Sequence, residues 1–300
     1  MTALPSDRRV RRIAGEHILP IGLGGMPMSV AGRPDEARSR RTIDAALDAG
    51  IRLIDTADTY ALDDSEIGHN ELLIARALEG RRDRALIATK GGKTRIGREW
   101  GIDGRPDHLR AACEGSLKHL HTDRIDLYQL HAPDPDIPFA ESIGALKELQ
   151  DAGKIRAVGL SNVTSSQLED ALRIVDVASV QNQLSPAHPW ALADDALRAT
   201  ASRGIAFLAY SPLGGIGKGA TLRLRAIQDA ADRHHVSVQR IALAWLLALS
   251  PNVIPIPGAS RPESIADSAR ATELTLTREE VAAISDEALA AARARARADT

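Results

Sequence analysis

Four polar side chains each follow or end an apolar run, and each of them can hold or move a proton. Asp55 and Tyr60 lie in "LIDTADTY", Lys90 ends "ALIATK", and His131 ends "IDLYQLH". A free tyrosine has a pKa of about 10 and is a poor acid at neutral pH, but a nearby ammonium favours the phenolate and lowers that pKa. An aspartate beside the lysine would keep it charged, and a histidine near the phenol would orient a carbonyl oxygen. We therefore predict a site that protonates an oxygen while that oxygen gains negative charge.

Protonation of a carbonyl oxygen is half of a carbonyl reduction, and a hydride is the other half. No side chain supplies hydride, so these residues imply a nicotinamide cofactor. A Schiff-base aldolase is one alternative, because Lys90 ends a strand and a lysine amine becomes nucleophilic when its pKa falls. Asp55 argues against it by keeping the lysine charged. A cofactor-binding interaction module is the other alternative. Asp58 is interpreted as a loop cap or a salt-bridge partner.

Apolar, β-branched-rich runs recur along the chain with amphipathic stretches between them, as in parallel strands covered on both faces. Eight such runs alternating with helices predict an α/β fold, a (β/α)8 TIM barrel. Active sites of such barrels lie at the carboxyl ends of the strands. An open doubly wound sheet is the rival fold, but "IGLGGMPMS" lacks the G-x-G-x-x-G spacing. The runs are 19–24, 52–57, 85–90, 125–131, 155–161, 177–182, 205–211 and 253–257.

The segment outside this repeat at the start of the chain, residues 10–18, predicts a β-hairpin that caps one barrel end. Glycines and a proline mark helix boundaries: Gly50 and Gly153 end helical patterns, and Pro106 begins one. We predict one domain over residues 1–300, with flexible tails over about 1–9 and 290–300.

The composition restricts the classes of partner. A formal net charge of −2 gives no field that would attract nucleic acid or an anionic membrane surface. No apolar run has the length of a membrane span, and "MTALPSDRRVRR" lacks the apolar core of a signal peptide. The one cysteine, Cys113, excludes an internal disulfide. We predict a cytoplasmic enzyme that acts on a small molecule, with Cys113 as a buried thiol and no metal site.

Several ordered motifs carry a resemblance to one family: "LIDTADTY", "ATKGG", "DLYQLHAPD", "GKIRAVGLSN", "VQNQ", "AYSPLGG" and "IPIPGASRPESI". With these motifs the chain resembles the aldo-keto reductases along essentially its whole length. The resemblance implies NADP(H)-dependent reduction of an aldehyde or ketone. In the family's tetrad, Tyr60 would be the general acid and Lys90, paired with Asp55, would lower its pKa. His131 would help to place the substrate carbonyl.

The resemblance also implies that NADPH lies extended across the barrel mouth. By this resemblance, Ser161, Asn162 and Gln181 would hold the nicotinamide carboxamide. Tyr210 would stack on the nicotinamide ring, and Ser211 and Leu213 would follow the pyrophosphate. Gly25 and Met26, after the first strand, would approach the cofactor. The last motif would contribute Gly258, Ser260, Arg261, Ser264, Asp267 and Ser268. The family commonly has Glu and Asn where Asp267 and Ser268 stand, so the adenine contacts differ here.

The cofactor preference is predicted from one loop, and the candidate substrate from two short sequence stretches. Ser260 and Arg261 lie in the loop that usually meets the 2′-phosphate, and a guanidinium pairs well with phosphate, so NADPH is predicted over NADH. Met28 and Trp100 are predicted to line the substrate pocket, and Tyr128 to be a packed strand aromatic. The stretches "GLSNVTSSQLEDA" and "VQNQLSPAH" resemble a bacterial subgroup that includes pyridoxal reductases, so pyridoxal is a candidate substrate. Monomers are common in the family.

Overall fold

The computed structural model describes residues 10–192, 195–215 and 223–298, and the described chain begins with a short hairpin. Strands β1 (Arg11–Ile13) and β2 (Glu16–Ile18) pair antiparallel. The turn residues Ala14 and Gly15 have φ values of 48° and 81°. Positive φ at both central residues is typical of the turn that matches the twist of two paired strands. The predicted hairpin over residues 10–18 is therefore confirmed.

Eight parallel strands form one continuous sheet that curls into a nearly closed barrel. The first and last strands meet at a parallel bridge between Gly24 and Gly258, where the Gly24 amide donates to Pro257 O over 2.9 Å. The predicted (β/α)8 barrel is thereby confirmed. Its strands are β3 (Gly22–Gly24), β4 (Leu53–Asp55), β5 (Leu86–Gly91), β8 (Ile125–Leu130), β9 (Ile155–Ser161), β10 (Val177–Gln183), β11 (Ala206–Tyr210) and β12 (Val253–Pro255). A second hairpin, β6 (Lys93–Ile96) with β7 (Glu99–Ile102), follows β5.

The helices return the chain from one strand to the next and cover the outer face of the barrel. Gly50 lies just past the end of α1 with a φ of 85°, as predicted for a helix boundary, and Asp35 accepts a hydrogen bond from the Arg38 amide at the start of this helix. The helices are α1 (Glu36–Asp48), α2 (His69–Ala77), α3 (Pro106–His119), α4 (Phe139–Asp151), α5 (Ser165–Leu172), α6 (Asp195–Ser202), α7 (Arg225–His234), α8 (Val238–Leu249), α9 (Pro262–Ala269) and α10 (Arg278–Ala298).

The hairpin β1–β2 closes the amino-terminal end of the barrel. Ile13 and Ile18 are buried against the first residues of β4 and β5, Leu53 and Leu86. Glu16 forms ion pairs with two arginines that flank this end, Arg52 and Arg156. With this end filled by apolar side chains, the polar side chains of the barrel gather at the opposite, carboxyl end.

The hairpin β6–β7 was not predicted from the sequence. Its side chains are partly or largely exposed, with Trp100 44% and Ile102 45% exposed, so it buries no alternating apolar face. Periodicity of buried residues is the main sequence signal for a strand, and it is missing here. The hairpin projects from the carboxyl end of β5 beside the predicted site.

The thiol of Cys113 lies inside the protein, as predicted. The Cys113 side chain is buried in α3, and burial raises the pKa of its thiol to about 12. A thiol that stays protonated at neutral pH is a poor nucleophile. Within residues 10–192, 195–215 and 223–298, no helix has the length and apolar character needed to cross a membrane.

Candidate active site

The four side chains singled out in the sequence meet at the carboxyl end of three neighbouring barrel strands. Asp55 ends β4, Lys90 lies near the end of β5, and His131 directly follows β8. The Nζ atom of Lys90 donates to Asp55 Oδ2 and to Thr56 O, each over 2.8 Å, and lies 3.1 Å from Tyr60 Oη. One ammonium therefore joins the carboxylate to the phenol.

The environment of Lys90 keeps it protonated. Its side chain is fully buried, and burial acts to lower its pKa. The Asp55 carboxylate and Tyr60 act in the opposite direction and outweigh burial, so the pKa of Lys90 lies above its ordinary value. A buried ammonium with three hydrogen-bond partners has all its donors satisfied.

Tyr60 keeps its proton more strongly than a free tyrosine. Its side chain is 7% exposed, and burial, the largest effect, raises its pKa. The Lys90 ammonium lowers the pKa but only partly offsets burial, so the net pKa is above the ordinary value. Lys90 lowers the pKa of Tyr60, as predicted, but burial raises it by more, and the depth of burial was not visible in the sequence.

His131 lies edge-on to the Tyr60 ring, with 5.9 Å between ring centroids and 79° between ring planes. Burial, followed by the charges of Lys90 and Lys93, lowers the pKa of His131 well below its ordinary value. The imidazole is therefore neutral at neutral pH. A neutral imidazole carries one N–H donor, which can be given to a carbonyl oxygen.

The second oxygen of Asp55 is held by two amides from inside the barrel. Gln181 Nε2 donates to Asp55 Oδ1 over 2.7 Å, and Gln129 Nε2 lies 3.5 Å from the same atom. Gln181 was predicted to hold a carboxamide, and its Nε2 group is engaged with Asp55. Gln129 was missed in the sequence, although a polar residue two positions before His131 in a buried strand is a usable signal.

A cavity of about 410 Å³ opens above these residues. Asp55, Tyr60 and His131 form its floor. The predicted residues that line it are Met26, Trp100, Ser161, Asn162, Gln181, Tyr210, Ser211, Leu213 and Gly258. Gly24, at the end of β3, also lines the cavity, and five further lining residues were not assigned to the site from the sequence: Pro27, Lys93, Pro212, Gly215 and Ile256.

Two lining residues adopt the left-handed backbone conformation that is unusual for side chains other than glycine. Asn162 has a φ of 60° and Ser211 a φ of 49°. Asn162 Nδ2 donates to His131 O over 2.9 Å, and its Oδ1 accepts from the Tyr210 hydroxyl over 2.8 Å. Strained backbone of this kind is maintained where surrounding contacts hold it, and it clusters at functional sites.

The remaining predicted site residues lie outside the lining of this cavity. Met28 is 1% exposed and packs in the hydrophobic core, so it does not reach the mouth of the barrel. Gly25 donates its amide to Asp55 O, and a Cβ there would lie 2.4 Å from Asn70 Oδ1. Gly25 therefore serves close packing beneath the site.

The last motif leads from the cavity to α9. Arg261 is exposed at the start of α9, next to Ser260. Asp267 is already engaged, because it accepts from Ser237 Oγ and pairs with Arg240. Ser268 is 5% exposed, and its hydroxyl donates to the backbone carbonyl of Ser264, so this hydroxyl does not point freely outward.

Two further expectations concern residues near the site. Tyr128 is fully buried, and its hydroxyl lies 3.5 Å from Leu109 O and occupies the space that a Cβ of Gly91 would need. It is a packed strand aromatic, as predicted. The described residues contain no group of three or more His, Cys, Asp or Glu side chains placed to hold a metal ion.

Comparison with known proteins places this geometry in a family. A model of the Aldo/keto reductase family matches residues 20–288. The chain is 33% identical over 294 residues to a 6-dehydroglucose reductase of Novosphingobium aromaticivorans, covering 93% of this chain and 95% of that protein. A solved glycerol dehydrogenase from Gluconobacter oxydans has a TM-score of 0.82 at 30% identity, over 93% of this chain and 95% of that one.

A second solved structure has a nicotinamide cofactor bound. The aldo-keto reductase of Klebsiella pneumoniae in complex with NADPH has a TM-score of 0.78 at 27% identity, over 93% of this chain and 94% of that one. The family match covers most of the chain, and the strands, the cavity and the polar cluster occur where such a barrel enzyme carries its site. The chain belongs to the Aldo/keto reductase family of oxidoreductases.

Proposed function

We propose that this protein reduces an aldehyde or ketone to the alcohol with NADPH, and that Tyr60 donates the proton. The observation that carries the proposal is the placement of one buried ammonium, Lys90 Nζ, within 2.8 Å of Asp55 Oδ2 and 3.1 Å of Tyr60 Oη. In this arrangement the phenol is protonated at rest, and a positive charge lies ready beside the phenolate that forms when it gives up the proton.

The proton and electron changes balance in this scheme. NADPH, when bound, supplies a hydride to the carbonyl carbon. The carbonyl oxygen gains negative charge and takes the proton from Tyr60 Oη, and the phenolate left behind is stabilised by Lys90. Preorganised charge next to an atom that becomes negative is a large source of catalysis, because it requires no rearrangement during the reaction.

His131 has a positioning and polarising role in this proposal. Its ring lies 5.9 Å from the Tyr60 ring, and its low pKa keeps it neutral. A neutral imidazole donates a hydrogen bond to the carbonyl oxygen without carrying a charge that would compete with Lys90. The oxygen would then lie between the Tyr60 hydroxyl and the imidazole, which fixes the face of the carbonyl open to hydride.

The cavity wall is suited to a nicotinamide. Ser161, Asn162 and Gln181 line the part of the wall that would meet the nicotinamide carboxamide, whose donor and acceptor suit a hydroxyl and amides. Gln181 Nε2 and both polar atoms of Asn162 already have hydrogen-bond partners, so a bound carboxamide would share or replace those bonds. Tyr210 lines the same wall, and its ring can stack on the nicotinamide. The NADPH complex of the Klebsiella relative supports a nicotinamide cofactor. The exposed guanidinium of Arg261 supports a preference for NADPH over NADH.

The alternative of a Schiff-base aldolase is disfavoured by the environment of Lys90. A nucleophilic lysine must lose its proton and reach the substrate. Lys90 is fully buried, its pKa is raised by Asp55 and Tyr60 against the effect of burial, and its donors are satisfied. It supports the phenol rather than attacking a carbonyl.

The test is an NADPH-oxidation assay over aldehydes, ketones, sugars and pyridoxal, run beside NADH. The Tyr60→Phe variant should lose about 10²–10⁴-fold in kcat/KM, the usual contribution of a general acid. Tyr128→Phe is the matched control, because it removes a buried phenolic oxygen that faces Leu109 O outside the cavity. Equal activity in Tyr60→Phe and the parent would refute the proposed role.

A further inference from the structure

Lys93 is the charged residue of the cavity wall that the reaction leaves without a task. Asp55 and Lys93 are the two lining side chains that carry a formal charge, since His131 is neutral. Asp55 is neutralised by Lys90, with which it forms a buried ion pair over 2.8 Å. Lys93 forms no ion pair with a carboxylate of residues 10–192, 195–215 or 223–298. The cavity therefore has an unbalanced positive charge.

The position of Lys93 places this charge on the substrate side of the cavity. It is the first residue of β6, and its Nζ atom lies 5.8 Å from the centre of the Trp100 ring. Trp100 in turn meets the Tyr60 ring edge-on at 6.5 Å. The ammonium, the indole and the catalytic phenol thus follow one another along one wall. The residues expected to meet the cofactor, Asn162 and Tyr210, come from β9 and β11.

Lys93 is also partly removed from water. Its side chain is half-buried, and burial, followed by the neighbouring Lys90 charge, lowers its pKa. A cation that has lost part of its hydration and has no counter-charge binds an anion more strongly than an exposed lysine does. The cation is therefore available for a ligand.

The second cation of the hairpin shows the contrast. The Arg95 guanidinium stacks on Trp100 at 3.7 Å from the ring centre. It also donates to Thr59 O and Arg98 O, and so ties the hairpin to the loop that carries Tyr60. Arg95 therefore holds Trp100 in place, whereas the Lys93 ammonium forms no comparable hydrogen bond to the residues that the structure describes.

We propose that the substrate is an anionic carbonyl compound, whose carboxylate or phosphate binds Lys93 while its carbonyl oxygen meets Tyr60 and His131. This inference rests on the proposed carbonyl reduction and specifies its substrate class. The stretch of aromatic surface between the two sites, Trp100 and the Tyr60 ring, would hold an apolar or planar spacer. The anion and the reacting carbonyl are then bound by separate groups of one cavity.

The experiment compares matched aldehydes with and without an anionic group. The ratio of kcat/KM for 4-formylbenzoate to that for methyl 4-formylbenzoate is measured with saturating NADPH. Lys93→Gln should lower this ratio about tenfold, mainly through the KM of the anionic substrate, because a charge-assisted contact is lost. Lys93→Arg retains the positive charge and should keep most of the preference for the anionic substrate. Added salt should lower the ratio in the parent and have less effect in Lys93→Gln.

A matched control removes the same charge elsewhere. Lys118→Gln acts on an exposed lysine in the last turn of α3, at the amino-terminal side of the barrel, and should leave the ratio unchanged. A second pair of substrates, glyceraldehyde 3-phosphate and glyceraldehyde, distinguishes the two anions. A Lys93-dependent ratio in this pair alone assigns the site to phosphate, and in the benzoate pair alone to carboxylate.

The outcomes separate this inference from the proposed reaction. Equal ratios in Lys93→Gln and the parent for both pairs, with both aldehydes reduced, would overturn the anion site and leave carbonyl reduction standing. Failure to reduce any of the four compounds would count against the proposed reaction. Calorimetric titration with 4-formylbenzoate and its methyl ester would then still test the anion site. Tighter binding of the carboxylate that is lost in Lys93→Gln would support the site, and the same preference in both proteins would overturn it.

Discussion

The Nζ atom of Lys90 lies 3.1 Å from the Oη atom of Tyr60; Tyr60 lies at the floor of the cavity, and Lys90 is fully buried and does not line it. In the proposed reaction this contact would act mainly after proton transfer has begun. Burial keeps the phenol protonated at rest, and the ammonium would stabilise the phenolate that develops. The pair therefore combines a stable acid with a prepared site for its conjugate base.

The first prediction concerns the charge of Lys90. In Lys90→Met the phenol loses the one neighbour that lowers its pKa most, so the pKa of Tyr60 rises further. In the reverse of the proposed reaction, the oxidation of an alcohol, Tyr60 would act as the base, so the rate would increase as pH rises through that pKa. We expect the rise in kcat/KM for oxidation to shift to higher pH in Lys90→Met. Lys118→Met is the control, and an unshifted profile in Lys90→Met would contradict the pairing.

The second prediction concerns the charge state of His131. Burial, Lys90 and Lys93 lower its pKa well below the ordinary value, so the ring should remain neutral over most of the range of about pH 5 to 8 in which a free imidazole titrates. Nitrogen resonances of the imidazole, followed by NMR against pH, measure this. Lys93→Gln removes one of the two positive charges and should raise the pKa of His131. A ring that titrates like a free imidazole would disprove the prediction.

The third prediction concerns the cofactor phosphate. Arg261→Ala should weaken NADPH binding by about tenfold or more, the usual scale for losing hydrogen bonds to a charged group, and leave NADH binding unchanged. Fluorescence titration with both cofactors measures the difference. Arg173→Ala is the control, since Arg173 is equally a surface arginine but caps the carboxyl-terminal end of α5, away from the cavity. Equal losses for NADPH and NADH would show that Arg261 does not read the phosphate.

The fourth prediction concerns closure of the barrel at Gly24. A Cβ at this position would lie 2.9 Å from Ile256 O and 3.2 Å from Gly258 N, both backbone atoms of the segment that follows β12. Gly24→Ala should lower the free energy of unfolding by about 1–3 kcal/mol, as overpacking typically does. Gly144→Ala is the same substitution in α4 with no atom within 4 Å of the new Cβ. It should be neutral or stabilising because alanine favours helix, and thermal unfolding of both variants measures the contrast.

The sequence was sufficient for the barrel and for the meeting of Asp55, Tyr60, Lys90 and His131. Each of these residues follows or ends a continuous apolar run, and the carboxyl ends of parallel strands must come together in a closed barrel. The order of the strands therefore brings Lys90 into hydrogen-bond contact with Asp55 and Tyr60, which precede it in the sequence by thirty or more positions. The hairpin over residues 10–18 was predicted from a short local pattern, and the structure confirms it.

Properties that depend on how deeply a side chain is buried, or on the path of an exposed segment, could not be predicted from the sequence. The pKa of Tyr60 is raised because burial outweighs Lys90, and the extent of burial follows from packing rather than from residue type. Lys93 was missed because the hairpin that brings it to the cavity has no buried face. Asp267 looked like a cofactor contact, but Arg240, from another helix, already engages it.

The last prediction concerns Asp58, which was interpreted as a loop cap or a salt-bridge partner. It is 6% exposed, has no ion pair with the described residues, and its Oδ1 atom is buried without a hydrogen-bond partner there. Burial, followed by the nearby Glu71 carboxylate, raises its pKa well above the ordinary value. Asp58 therefore keeps its proton to a higher pH in the folded protein than a free aspartate does.

This has a defined effect on stability against pH. The unfolded chain ionises Asp58 at a pKa of about 3.9, whereas the folded chain keeps the proton to a much higher pH. The stabilising contribution is therefore complete below about pH 4 and decreases as pH rises towards the folded pKa. Asp58→Asn removes this dependence, so its Tm relative to the parent should rise between pH 5 and pH 8. Asp123→Asn, at an exposed position, is the control, and a Tm difference for Asp58→Asn that is flat with pH would show that Asp58 is ionised in the fold.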